Sequence, residues 1–240
     1  MALEHDHTPE AIRERLESGP QTSYLRDWIY GGIDGAVTTF AIVSGVAGAD
    51  LQSSVVVVLG VANLVADGFS MAAGNYSGTR AELDELEHLR HVEARHIEEA
   101  PEGEREEIRQ IYAKKGLQGK ELRSVVDALT SNRERWIDTM LREEYGLPDQ
   151  VRSPWLAGLN TFVAFQVCGV APLIPYLLGF ERPFLVACVL TGLVFFAIGG
   201  MRSRWSLTPW WKAGLGTLAV GGAAAALAYG IGDLLSRLVS

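Results

Sequence analysis

The chain has 240 residues, 48% of them hydrophobic, and a formal net charge of -8. That acidic balance, concentrated in the middle of the chain, argues against nucleic acid as a partner, which needs a basic stripe. The mean hydropathy of +0.12 is ordinary for a globular protein. The apolar residues are blocked rather than dispersed, however, and several windows of about 20 residues lack Lys and Arg, enough to cross roughly 30 Å of hydrocarbon.

Residues 1–28 are polar and acidic, with no apolar run of the kind a cleavable signal carries. Thr8 reads as an N-cap, with Pro9 at the first helical position and Glu10 in the first turn. The helix AIRERLES should end at Gly19-Pro20, with Ile12 and Leu16 as a narrow apolar edge. Glu4, His5, Asp6 and His7 read as a tail rather than a metal site.

A first membrane span is expected over residues 29–49, carrying one charge, Asp34, with Thr38 one turn later. A very short linker, ADLQSS, forces the second span, residues 53–76, to return antiparallel beside it. Asn63, Asp67 and Met71 fall at four-residue steps on that span and therefore stack along one stripe. No Pro separates the second span from the acidic stretch that follows. Residues 82–107 hold eleven carboxylates against three arginines, with His88, His91 and His96 interleaved.

Residues 77–153 read as a helical insert in three parts. The first covers 81–100. The second covers 102–115 and opens after Pro101, and the third continues to Leu147 with its longest helix over 132–145. Val125, Val126, Leu129, Trp136, Ile137, Met140 and Leu141 recur at helical spacing and need a packing partner. Three further spans are expected over 155–178, 184–201 and 209–235, the first of them bent by Pro172 and Pro175. Trp155, Trp205, Trp210 and Trp211 flank the spans as interfacial anchors. Cys168 and Cys188 lie inside apolar runs and form no CxxC pair.

The fold class expected is thus an all-α membrane protein: an N-terminal segment (1–28), two spans (29–76), a metal-binding insert (77–153) and three spans (154–240). Arg202, Arg204 and Lys212 lie on the same side as the insert, whereas the 49–53 linker has no basic residue. The positive-inside rule then puts the insert and the N-terminus in the cytosol.

A carboxylate in a membrane helix costs about 2.5–3.5 kcal/mol at mid-depth. Asp34 and Asp67 on adjacent spans are therefore hard to explain as packing, and each could exchange a proton for a cation. Met71 adds a soft thioether donor to the same stripe. In the insert, Glu93-x-x-His96 and Glu104-x-x-Glu107 each set two donors one turn apart, and Glu85-x-x-His88 repeats the spacing. Asp138, Met140 and Glu144 supply further donors. Mixed oxygen and nitrogen sets of this kind suit Fe(II), Mn(II) and Zn(II). The plainer reading of each pair alone is a solvated acidic helix.

The segments YGGIDGAVTTFAIVSGVAGA, ANLVADGFSMAAGNY, the acidic arm, WIDTMLREEYGL and APLIPY, in this order, resemble the vacuolar iron transporter family over about residues 25–235. The resemblance implies a homodimer of five-span protomers in the lipid bilayer. Such a protein moves Fe2+ and related divalent metals out of the cytosol in exchange for protons. The metal is substrate and no cofactor is permanently bound. The metal path it implies is lined by Asp34 and Met71, with Thr38, Asn63 and Asp67 alongside. The cytosolic ligands it implies are Glu93, His96, Glu104, Glu107, Met140 and Glu144. Plant members have a Glu in the second span where this chain has Asn63, and Asp67 one turn on restores the charge. His96 stands where a Glu is typical, and Leu141 where a second Met is. The membrane is the plasma membrane for a bacterial chain and the vacuolar membrane for a eukaryotic one. Two other readings are a membrane-tethered ferroxidase and a metal-storage protein without transport. The ferroxidase needs Glu-x-x-His motifs on two helices, and here both copies fall on one.

Overall fold

The computed structural model describes residues 6–19, 22–148 and 152–239, so Glu4 and His5 of the N-terminal run lie outside the described residues. The side chain of Trp205 lies outside them as well. The regular structure among the described residues is all helical: α1 (Pro9–Ser18), α2 (Leu25–Gly48), α3 (Ser53–Glu99), α4 (Pro101–Lys114), α5 (Gly119–Thr130), α6 (Arg133–Glu143), α7 (Pro154–Gly169), α8 (Ile174–Leu177), α9 (Pro183–Arg202) and α10 (Trp210–Val239), with short 3-10 turns besides. Five stretches are long and apolar enough to cross a membrane: Leu25–Gly48, the first part of α3, Pro154–Leu177, Pro183–Arg202 and Trp210–Leu238. The architecture is that of an all-α integral membrane protein with a helical insert, α4–α6, between its second and third spans.

The chain divides into two units, residues 23–77 with 153–240 and residues 1–22 with 78–152. In the first, α2 is central, packed against α7, α9 and α10. Gly31 and Gly35 set the closeness of the α2–α7 pair. A Cβ on either would fall well inside van der Waals contact of the main-chain carbonyl of Thr161 or Phe165. Small residues at this spacing let two membrane helices meet backbone to backbone. Around that contact, Phe40, Val43, Val46, Val56, Leu64, Phe165 and Leu173 form one apolar cluster, and Ala36, Cys168, Phe195 and Ile198 a second. Gln166 donates through Nε2 to the Leu64 carbonyl at 2.5 Å, satisfying a polar group that hydrocarbon cannot. Val58, Val65, Phe69, Leu185, Val189 and Leu227 face outward, as side chains solvated by lipid do. Pro172 and Pro175 interrupt the third span as expected, through a 3-10 turn at Ala171–Leu173 followed by α8. Trp155, Trp210 and Trp211 are all exposed at span ends.

In the second unit, α1 starts as its capping residues require: Thr8 Oγ1 accepts from the Ala11 amide at 3.4 Å. The insert closes on Ile97, Ile108, Leu122, Val126, Trp136, Ile137, Met140 and Leu141. Charge pairs tie its helices together on the outside: Arg105 bonds Asp127 across α4 and α5, Arg90 bonds Asp138 across α3 and α6, and Arg133 reaches Glu98. These pairs are largely exposed and fix register more than they stabilise.

Three details depart from the expectation. α2 begins at Leu25, four residues before 29, and takes buried Asp27 into the helix. The first part of the insert has no start of its own, because α3 runs unbroken for 47 residues. In the third part a helix does start at Asn132, whose Oδ1 accepts from the Arg135 amide at 3.0 Å, but its length differs from the expected one. α6 ends at Glu143, short of 145, and at 11 residues it is shorter than the 12 of α5, so it is not the longest helix of its part.

Candidate metal centre and intramembrane cavity

Glu93 and His96 sit one turn apart on α3, and Glu104 comes from the first turn of α4. The turn at Ala100-Pro101 folds α4 back, so the three side chains converge with their donor atoms within 4.8 Å of one another. His96 Nδ1 lies 3.3 Å from Glu104 Oε1 and 3.7 Å from Glu93 Oε1. Donors bound to one metal at about 2.1 Å stand about 3.0–3.4 Å apart, so closing this set requires only a few tenths of an ångström.

Burial makes the arrangement costly without a cation. Glu93 is 1% exposed and Glu104 5%. The Oε2 atoms of both are buried without a hydrogen-bond partner. Buried polar atoms are nearly always paired, and an orphaned carboxylate oxygen beside an imidazole is what a divalent cation would satisfy. Burial, the neighbouring charges of Glu93 and Glu107, a hydrogen bond shared with Glu93 and the charge of Glu144 push the Glu104 carboxyl up to about 8, so without a cation a proton between the two carboxyls offsets part of that cost. Glu144 is raised in the same direction by burial and then by Glu107 and Glu93, with His96 opposing. A cation binding here at neutral pH would have to displace a proton.

The other expected donors divide into two groups. Glu107 is exposed, yet its charge acts on both Glu104 and Glu144, so these carboxylates share one field with Glu93. Met140 is fully buried in the apolar cluster of the insert, one turn before Glu144. Glu85 and His88 are exposed on α3, and the three-donor group among the described residues does not include them. Asp138 pairs with Arg90.

Within the spans, Asp34, Asp67 and Met71 line a single cavity of about 470 Å³, together with Tyr30, Ile33, Ser70, Gly74, Asn75 and Thr161. The spacing of the second-span stripe accounts for the meeting, since α2 and α3 present Asp34 and the Asp67–Met71 row to the same space. Thr38 and Asn63 do not line it. The Thr38 hydroxyl donates to the Asp34 carbonyl at 2.8 Å and accepts from Asn63 Nδ2 at 3.2 Å, bracing the two helices beside the cavity.

Asn75 and Asp27 were not anticipated. Nδ2 of Asn75 donates to Asp27 Oδ1 at 2.9 Å, to Thr161 Oγ1 at 2.7 Å and towards the Ala157 carbonyl at 3.2 Å, linking α3, α2 and α7. The signal was present, because residue 75 is the next four-residue step after 63, 67 and 71. Tyr145 was missed as well. It stands just beyond α6 and donates its phenol to Glu93 Oε1 at 2.9 Å.

These features agree with the sequence comparisons. A profile described as the VIT family matches residues 25–233. A protein named vacuolar iron transporter from Toxoplasma gondii is 35% identical over 96% of this chain and 81% of its own length. Proteins named vacuolar iron transporter 1 are 33% identical in Oryza sativa, over 95% of this chain and 89% of theirs, and 31% identical in Arabidopsis thaliana, over 85% and 83%. With five spans, an acidic helical insert and a family match over nearly its whole length, the chain belongs to the VIT family.

Proposed function

We propose that this protein is a proton-coupled transporter of divalent metal, with Fe2+ as its leading substrate and Mn2+, Zn2+ and Co2+ as further ones, removing metal from the cytosol. The observation that carries the reading is the intramembrane cavity, where two carboxylates and a thioether face the same space. Two acids held in low dielectric stabilise a dehydrated dication and release it when protonated. Met71 tilts the preference towards transition metals over Ca2+ and Mg2+.

The insert gathers the metal on the cytosolic side. Glu93, His96 and Glu104 form the first site. Glu107 and Glu144 supply negative field and further oxygen donors, and Met140 backs the site from the core. Metal then passes to Asp34, Asp67 and Met71, with Thr38 and Asn63 holding the two helices in register. Protons arriving from the far side displace it. The working unit is a homodimer. It is a carrier rather than a ferroxidase, because a di-iron centre needs a second Glu-x-x-His helix facing the first. Among the described residues only one three-donor group occurs.

The test is flux in proteoliposomes across a series of divalent metals with an imposed pH gradient. Asp34→Ala should abolish Fe2+ uptake, and Glu104→Ala should only weaken it. Wild-type rates in both variants would overturn the scheme, and flux indifferent to the gradient would remove the proton coupling.

A further inference from the structure

We propose that Tyr145 is a positioning residue that holds Glu93 as a one-oxygen ligand and so sets the metal centre against Ca2+. The inference rests on the reading of Glu93, His96 and Glu104 as a metal site. Glu93 has two carboxylate oxygens in different circumstances. Oε1 accepts the Tyr145 phenol at 2.9 Å, whereas Oε2 is buried with no partner. A hydrogen bond to one oxygen withdraws donor capacity from it and fixes the rotation of the carboxylate plane. Oε1 is also the oxygen 3.7 Å from His96 Nδ1, so the phenol competes with a cation for it and disfavours contact through both oxygens at once.

The backbone holds Tyr145 in place for this role. α6 ends at Glu143, the Glu144 amide still bonds the Met140 carbonyl at 2.9 Å, and the chain then reverses at Gly146 with φ 68°. The Leu147 amide closes the reversal on the Leu141 carbonyl at 3.0 Å. Leu141 belongs to the apolar core of the insert and Leu147 packs against it. Tyr145 is thus clamped between a helix end and a glycine turn, on a segment distant in sequence from the α3–α4 ligands.

The chemical consequence concerns coordination number. Ca2+ takes six to eight oxygens at 2.3–2.6 Å and commonly uses bidentate carboxylates. Fe2+, Co2+ and Zn2+ accept fewer donors at shorter distance, with imidazole among them. A Glu93 restricted to one oxygen favours the second group. Loss of the phenol frees Oε1, loosens the carboxylate and permits bidentate contact.

The experiment measures Co2+ and Ca2+ binding to the purified full-length chain in detergent, by competition with a chromophoric chelator, in wild type, Tyr145→Phe and Glu93→Ala. Phenylalanine keeps the ring and its packing, and thermal melting of the metal-free variant checks the fold. Tyr145→Phe should weaken Co2+ binding about 10- to 100-fold, as loss of an outer partner of a metal ligand does. Ca2+ binding should be unchanged or tighter, and the visible absorption of bound Co2+ should shift. Equal Co2+ to Ca2+ ratios and identical spectra in wild type and Tyr145→Phe would overturn the role of Tyr145 alone. Co2+ binding that Glu93→Ala leaves untouched would overturn the metal site itself, and this inference with it.

Discussion

Metal affinity at the insert should depend on pH through Glu104. Its carboxyl is raised to about 8 by burial and by Glu93, Glu107 and Glu144, so at neutral pH it is mostly the neutral acid. A divalent cation requires the carboxylate, and binding therefore expels a proton. Apparent affinity rises with pH until the acid is fully ionised and then levels off. With one proton competing at a pKa of about 8, affinity at pH 7 should be about tenfold weaker than at pH 9, roughly 1.4 kcal/mol. Isothermal titration of the detergent-purified chain with Co2+ in buffers of different ionisation enthalpy gives both the affinity and the protons released. Glu104→Gln should bind more weakly throughout but lose most of the slope between pH 7 and 9. A flat profile in the wild type, or an undiminished slope in Glu104→Gln, would refute the assignment of the competing proton to Glu104.

The same raised carboxyl also bears on stability. A group protonated in the folded state and ionised in the unfolded one loses stability as pH rises from the ordinary glutamate range towards about 8. The metal-free protein should therefore melt at lower temperature at pH 8 than at pH 6, and Glu104→Gln should flatten the trend. Chelation with EDTA should lower the melting temperature of the metal-loaded protein, since ligand at 100 times its Kd stabilises by about 2.7 kcal/mol. Asn75→Ala removes the donor that bonds Asp27 and Thr161 and should cost about 1–3 kcal/mol, measured by denaturation in mixed micelles. Gly146→Ala places a Cβ in the left-handed region and should cost about 1–2 kcal/mol, with a matching loss of Co2+ affinity if the turn carries Tyr145.

The spans were legible because blocks of apolar residues with few charges have one structural solution in a bilayer. The Thr8 cap and the Pro172–Pro175 interruption were legible because their chemistry is local. Glu93, His96 and Glu104 could be proposed from i, i+3 spacing, but their convergence depends on the reversal at Ala100-Pro101, and spacing alone does not give its angle. The missed features share another cause. Asp27 lay outside the expected first span because a charge near a helix end looks like the end, whereas its bond with Asn75 keeps it buried inside. Tyr145 reaches Glu93 across 52 positions of sequence, and no local pattern marks such a pair.

The glycine contact between α2 and α7 has a consequence for variation in this region. At Gly31 and Gly35 the obstacle to a larger residue is main chain, not a neighbouring side chain. Trimming Thr161 or Phe165 therefore offers no relief, and a genetic screen for second-site suppressors of Gly35→Ala within α7 should return nothing. The backbone beside Asp34 is consequently held at a fixed separation from α7, and change in the passage has to come from its lining side chains rather than from a shift of α2.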